Sequence, residues 1–102
     1  MAHFSHAYPE GASIYFTFAG ASSDDSAALE RYDETWRSAL RAVVDSGGTL
    51  SHHHGVGRSK APMMRREQGV AVDIVRGIKG SLDPRGILNP GSLIPIGEGS
   101  DV

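Results

Sequence analysis

An α+β fold, with one clear strand and two main helices, is what this sequence predicts, and three patterns predict it. Between Ala12 and Phe18 apolar and polar residues alternate. From Leu29 to Val43 apolar residues recur at spacings of three and four, and from Ala71 to Leu82 a second stripe does the same. A period of two belongs to a half-buried strand, and a period near 3.6 to a helix with one buried side. One evident strand cannot satisfy its own edges. The pattern therefore predicts either further strands hidden in the loops or a sheet completed from outside this stretch.

Met1 to Gly11 holds His3, His6 and Tyr8 and closes on Pro9-Glu10-Gly11, a turn signal. In the strand that follows, Ala12, Ile14, Phe16 and Phe18 point one way, while Ser13, Tyr15 and Thr17 point the other. The Tyr15 hydroxyl is thus turned away from the aliphatic side, toward ligand or solvent. Ser22-Ser23-Asp24-Asp25 supplies capping side chains and early negative charge for a helix. That helix is predicted to run to about Asp45, burying Leu29, Tyr32, Trp36, Leu40 and Val43, and to stop at Ser46-Gly47-Gly48.

Pro62 suits the first turn of a second helix running to about Ser81. Its stripe is Ala71, Ile74, Ile78 and Leu82, and Gly69 and Gly77 weaken it by roughly 1 kcal/mol each relative to Ala. Leu82-Asp83-Pro84-Arg85-Gly86 is a turn, because a residue before proline avoids the helical region. An extended-to-turn element follows over Ile87 to Gly91. The domain is expected to span residues 1–96, with 97–102 a flexible tail.

Charge and composition exclude several function classes. Ten basic residues against twelve acidic ones leave a net charge of -2, without the clustered basic surface that broad nucleic-acid binding needs. With no cysteine there is no disulfide framework, thiolate metal site or cysteine nucleophile, which suits a reducing compartment. No apolar run approaches the ~18 residues of a membrane span. A soluble, cytoplasmic domain is the expectation.

The chemistry concentrates in Ser51-His52-His53-His54-Gly55-Val56-Gly57. Three adjacent imidazoles can exchange protons near neutral pH, and the flanking glycines allow close approach or positive φ. In an extended loop His52 and His54 project to one side and His53 to the other, so at most two converge on one ion. A third ligand would have to come from His6, His3 or a carboxylate, and a zinc site normally needs three protein ligands. Metal binding, acid–base or phosphate work, and structural or solvated histidines all stay open. No serine lies in a nucleophile elbow, and Gly55-Val56-Gly57 is too short for a dinucleotide fingerprint. Arg58 and Lys60 follow closely enough to meet a phosphate.

Four stretches, taken together, resemble a known family. They are Ser5-His6 leading to Gly11-Ala12-Ser13-Ile14-Tyr15-Phe16; Gly47-Gly48-Thr49-Leu50; the triple histidine with Gly55-Val56-Gly57; and Leu82-Asp83-Pro84 with Gly86-Ile87-Leu88-Asn89-Pro90-Gly91. In order and spacing they resemble the C-terminal part of FAD-linked oxidases of the vanillyl-alcohol-oxidase type. The histidine run is more specific and is similar to the branch containing alkyldihydroxyacetonephosphate synthase.

That resemblance implies FAD as the cofactor, held mainly by an N-terminal domain that these residues do not include and that would be supplied in cis or in trans. The chain would be the last portion of a cap over the flavin, a partial antiparallel sheet with two main helices that is incomplete without its partner domain, plus the return toward the FAD domain. Tyr15 matches the family's active-site tyrosine, and His52, His53 and His54 its histidine cluster. They would move protons while the fatty acid of acyl-dihydroxyacetone phosphate is exchanged for a fatty alcohol. Asn89 would lie near the flavin, and Arg58 would help neutralise the substrate phosphate. A lipid-like substrate would bring the protein to a membrane surface.

Two alternatives stand beside this. In the 2-hydroxyacid dehydrogenase branch (glycolate, D-lactate) a Gly-Glu-His-Gly run occupies the place of His52-His53-His54-Gly55, and several members use a histidine-held metal. Here His53 replaces the glutamate, and His6 and His53 would be the ligands. Alternatively the polypeptide is a non-catalytic domain or subunit that pairs through its open sheet edge, as in a homo-oligomer. The 102 residues by themselves are expected to be inactive.

Overall fold

A computed structural model describes residues 1–95, so the expected tail at 97–102 lies outside the described residues. Two compact units divide the chain: Met1–Thr35, and the residues from Trp36 onward.

The first unit is built on a hairpin. Strand β1 (Ala2–Tyr8) pairs antiparallel with β2 (Gly11–Phe16) around Pro9-Glu10. The sheet is therefore no longer edge-only: β1 is the hidden strand, and Met1 and Thr17 continue its ladder through two backbone bonds of 2.9 and 3.1 Å. β1 escapes sequence reading because its alternation slips. Phe4 faces Ile14 and Ser5 faces Ser13, but Ala7 faces Ala12, which leaves His6 as the extra residue of a bulge. His6 takes a left-handed conformation there, with φ 50°.

One side of this hairpin carries Phe4, Ile14 and Phe16, and all three are exposed. The aliphatic side predicted to be buried is thus uncovered, whereas Ser13 and Tyr15 on the other side are half-buried. Two strands cannot bury a sheet face by themselves.

Helix α1 (Asp25–Asp45) begins as predicted. The Asp24 carboxylate accepts the Ala27 N–H at 2.8 Å, satisfying a donor of the first turn. It also ends as predicted. Gly47, at φ 76°, donates to the Val44 carbonyl (3.0 Å) and Gly48 to that of Val43 (2.9 Å), a Schellman stop. Its stripe is buried only from Trp36 onward: Leu40 is buried and Val43 half-buried, while Leu29 and Tyr32 are exposed.

The predicted second helix is instead three pieces: a 3-10 turn (Ala61–Met63) with Pro62 in its first turn, α2 (Met64–Gln68) and α3 (Ala71–Leu82). The break falls at Gly69, whose φ of 56° with ψ -132° no helix accommodates. Glycine is the residue that adopts such angles without a Cβ penalty.

The core of the second unit joins these pieces. Leu40, Leu50, Met63, Met64 and Val72 are buried together, with Trp36, Val43, Val44 and Val56 packed against them. Each fully buried side chain of this size contributes about 1.5–3 kcal/mol. The Trp36 indole N–H donates to the Ser59 carbonyl at 3.0 Å, so the ring is a core element with a satisfied polar edge. From α3 the core takes Val72. The stripe predicted to be buried there faces outward: Ile74, Ile78 and Leu82 are exposed. No described helix is long and apolar enough to cross a membrane.

Candidate functional site

On the hairpin, the slip at His6 decides what stands opposite Tyr15. Counting outward from the turn without it would place Phe4 there; the extra residue places His3 instead. The two rings are 6.4 Å apart between centroids and tilted by 43°. A phenol beside an imidazole on one strand pair is a proton-handling combination, and no spacing rule flags His3 unless the bulge is known. His6 is held locally, its Nδ1 2.7 Å from the Ser5 hydroxyl.

The histidine loop belongs to the second unit and is braced at both ends. At its start, the Glu67 carboxylate of α2 accepts the Thr49 hydroxyl (2.6 Å) and the Leu50 N–H (3.1 Å). Leu50 is buried in the core, so this anchors the loop to the interior. At its end, Gly55 and Gly57 take φ of 78° and 59°. Lys60 donates through Nζ to the Gly55 carbonyl at 3.3 Å. Glu67 attracts no attention as a motif; an acidic residue on a predicted helix ordinarily reads as solvated surface.

Within the loop the three imidazoles pack edge to face in sequence. His52 and His53 are 4.7 Å apart at 86°, and His53 and His54 4.3 Å apart at 89°. The Nδ1 atoms of His52 and His53 lie 2.6 Å apart. A contact that short holds one proton between two nitrogens. When both rings are neutral, the donor presents Nε2 as a lone pair and the acceptor presents Nε2–H. A base and an acid then stand side by side.

The closing segment meets this loop. Leu93, at φ 67°, donates its N–H to the Gly57 carbonyl at 3.0 Å. Arg58 is exposed and lines a shallow groove of about 210 Å³ with Ala61, Pro62, Pro90 and Gly91. The structure thereby brings the predicted phosphate-binding arginine to the stretch carrying Asn89. Asn89 itself is exposed and left-handed (φ 44°), a conformation its short polar side chain tolerates.

That stretch is held by a second carboxylate that sequence reading passed over. Asp83 is buried and accepts Lys79 Nζ (2.7 Å), Ile87 N–H (3.0 Å) and Leu88 N–H (2.9 Å), while Lys79 also donates to the Leu88 carbonyl (2.7 Å). The lysine ammonium, then the Leu88 and Ile87 amides, hold the Asp83 carboxyl below the usual aspartate range against the opposing effect of burial.

Residues 1–93 match the family described as FAD linked oxidases, C-terminal domain. The chain belongs to that family. Similar proteins include alkyldihydroxyacetonephosphate synthase of Trypanosoma brucei brucei, 36% identical over 94 residues that cover 91% of this chain and 15% of the synthase. The synthase of Dictyostelium discoideum is 37% identical over 95 residues, covering 92% of this chain and 15% of that protein. The glycolate oxidase subunit GlcD of Bacillus subtilis (strain 168) is 35% identical over 68 residues, 64% of this chain and 14% of the subunit. The chain therefore spans about one-seventh of the length of these relatives. No solved structure matches it significantly.

The cofactor of the family is FAD. Neither of two grooves among the described residues, each about 210 Å³, encloses a molecule of that size. Both are lined mainly by apolar side chains.

Proposed function

We propose that this chain is the substrate-side portion of an FAD-dependent enzyme similar to alkyldihydroxyacetonephosphate synthase, and that its imidazole trio is the proton-transfer centre. The observation that carries this reading is the His52–His53 contact at 2.6 Å. It sets an acceptor and a donor next to each other, and a proton-exchange step at a substrate carbon and its departing carboxylate needs both. His54 extends the same stack. On the hairpin, Tyr15 with His3 supplies a second proton-handling pair. Arg58 provides the positive charge for a substrate phosphate, and Asn89, on the stretch lining the same groove, meets the flavin edge. FAD, held chiefly by a domain preceding this one, supplies the electron-accepting ring system. The alkyl chain of such a substrate places the working enzyme at a membrane surface.

The similarity to a glycolate oxidase subunit motivates one second reading, oxidation of a 2-hydroxyacid with a metal held by histidines, His6 and His53 among them. Two measurements decide. Mixed with FAD and passed through gel filtration, the isolated chain elutes colourless; retained flavin absorbance overturns the assignment of the main FAD site to another domain. In a flavoprotein carrying this chain, Tyr15→Phe and His53→Gln lower synthase turnover while flavin stays bound, and a chelator changes nothing. Hydroxyacid oxidation abolished by the chelator would select the second reading.

A further inference from the structure

The three imidazoles stand on a short arch whose two feet are in the core. Leu50 is buried there, and Val56 packs against it. Between them lie the five residues Ser51 to Gly55, of which His52, His53 and His54 are exposed. With the rings outside the interior, their mutual placement depends on where and how the backbone leaves the core.

Glu67 governs that point of departure. Its Oε1 accepts the Thr49 hydroxyl at 2.6 Å and its Oε2 the Leu50 N–H at 3.1 Å, so one carboxylate spans two consecutive residues. A hydroxyl carries a single hydrogen, and the Thr49 oxygen also lies 3.2 Å from the Ser51 carbonyl. The nearer, charged acceptor takes that hydrogen. Without the carboxylate the hydroxyl turns instead to Ser51, the residue directly before His52. Helix α2 has other means of holding its own place. Met64 is buried in the core, and the Arg66 guanidinium donates to Asp45 of α1 through Nε (3.1 Å) and Nη2 (2.8 Å). The Glu67 carboxylate is thereby left to the loop.

We infer that Glu67 is a positioning residue for the His52–His53 pair, acting through Thr49 and Leu50. The inference rests on the reading given under Proposed function and adds to it the group that keeps the two Nδ1 atoms 2.6 Å apart. Such placement bears on rate, because misplacing a reacting group by an ångström costs up to about a hundredfold.

The test joins two readouts. Imidazole nitrogen shifts, measured by NMR through the carbon-bound ring protons, report the tautomers in the 102-residue chain. Turnover is measured in a chimera in which this chain replaces the matching segment of the Dictyostelium discoideum synthase. At alkaline pH the unaltered chain shows His52 and His53 as opposite tautomers, one Nδ1–H and the other Nε2–H. Glu67→Ala abolishes that opposition while circular dichroism keeps its helical signal. In the chimera it lowers kcat by about tenfold at unchanged KM and unchanged bound FAD. Glu67→Gln, which keeps one acceptor, recovers part of both. Thr49→Val removes only the hydroxyl half of the hold, gives a smaller loss, and carries the test if Glu67→Ala does not fold. Asp45→Asn, which breaks the ion pair on the same helix, changes neither readout. A Glu67→Ala chain that keeps opposite tautomers and its kcat overturns the inference and spares the functional reading. An Asp45→Asn chain that loses them equally also overturns it, since helix stability alone would then hold the pair. An unaltered chain without opposite tautomers overturns both. A chimera in which Glu67→Ala scrambles the tautomers but His53→Gln leaves turnover intact overturns the functional reading, while the placement of the pair by Glu67 stands.

Discussion

Helices α1 and α3 carry the same kind of sequence signal and use it in opposite ways. In α1, from Trp36 onward, the apolar stripe meets Leu50, Met63, Met64 and Val72 and becomes the core of the second unit. In α3 the stripe turns outward, and a single valine from another side of the helix reaches that core. Periodicity reports that a helix has an apolar side; it does not report what lies against that side.

The sharpest way to break this contrast is to truncate one residue from each stripe. Leu40→Ala should destabilise the isolated chain by about 2–5 kcal/mol, as a cavity in a small core does. Ile78→Ala should stay within about 0.5 kcal/mol, as at an exposed site. Urea unfolding of the two variants reads the difference, and equal losses would mean that α3's stripe is structural.

A smaller effect probes the brace beneath the histidines. Glu67→Ala removes the acceptor of the Leu50 N–H, a donor beside the buried core, and should cost about 1–3 kcal/mol. Hydrogen exchange at the Leu50 amide should accelerate with it. An amide that keeps its protection would show that the loop is anchored elsewhere.

The Asp83 clamp gives the contrast a pH signature. Its folded pKa is depressed, so its contribution is fully present above the unfolded aspartate value of about 3.9 and is lost as pH falls through the lower folded value. Acid titration of stability should therefore be shallower in Asp83→Asn than in the unaltered chain below about pH 4. Identical acid limbs would remove the clamp from the account of the closing segment.

The smallest change has the opposite sign. Gly77 lies inside α3 with open space where a Cβ would stand. Gly77→Ala should stabilise the isolated chain by up to about 1 kcal/mol, read from the urea midpoint.

Much of the fold is legible from local chemistry. The α1 start at Asp24, its stop at Gly47, the Pro9-Glu10 turn and the β2 alternation are each decided within a few residues, by hydrogen bonds and φ preferences the sequence states directly. The histidine run is legible for the same reason: no structure is needed to see three imidazoles between flexible glycines. What was not legible depends on pairings that no local residue pattern states. The bulge at His6 shifts β1 by one place and so chooses His3 as Tyr15's neighbour. Glu67 and Asp83 look like surface acids until the fold brings them to backbone N–H groups.

By itself the sequence determined the β2 strand, where α1 and the hairpin turn begin and end, and where the titratable groups concentrate, because backbone sterics and side-chain periodicity act over short spans. Only the tertiary structure decided which apolar side is core and which is exposed, and which acids hold the loops in place. Burial and charge pairing are properties of the neighbours a residue acquires, and residue type alone does not name those neighbours.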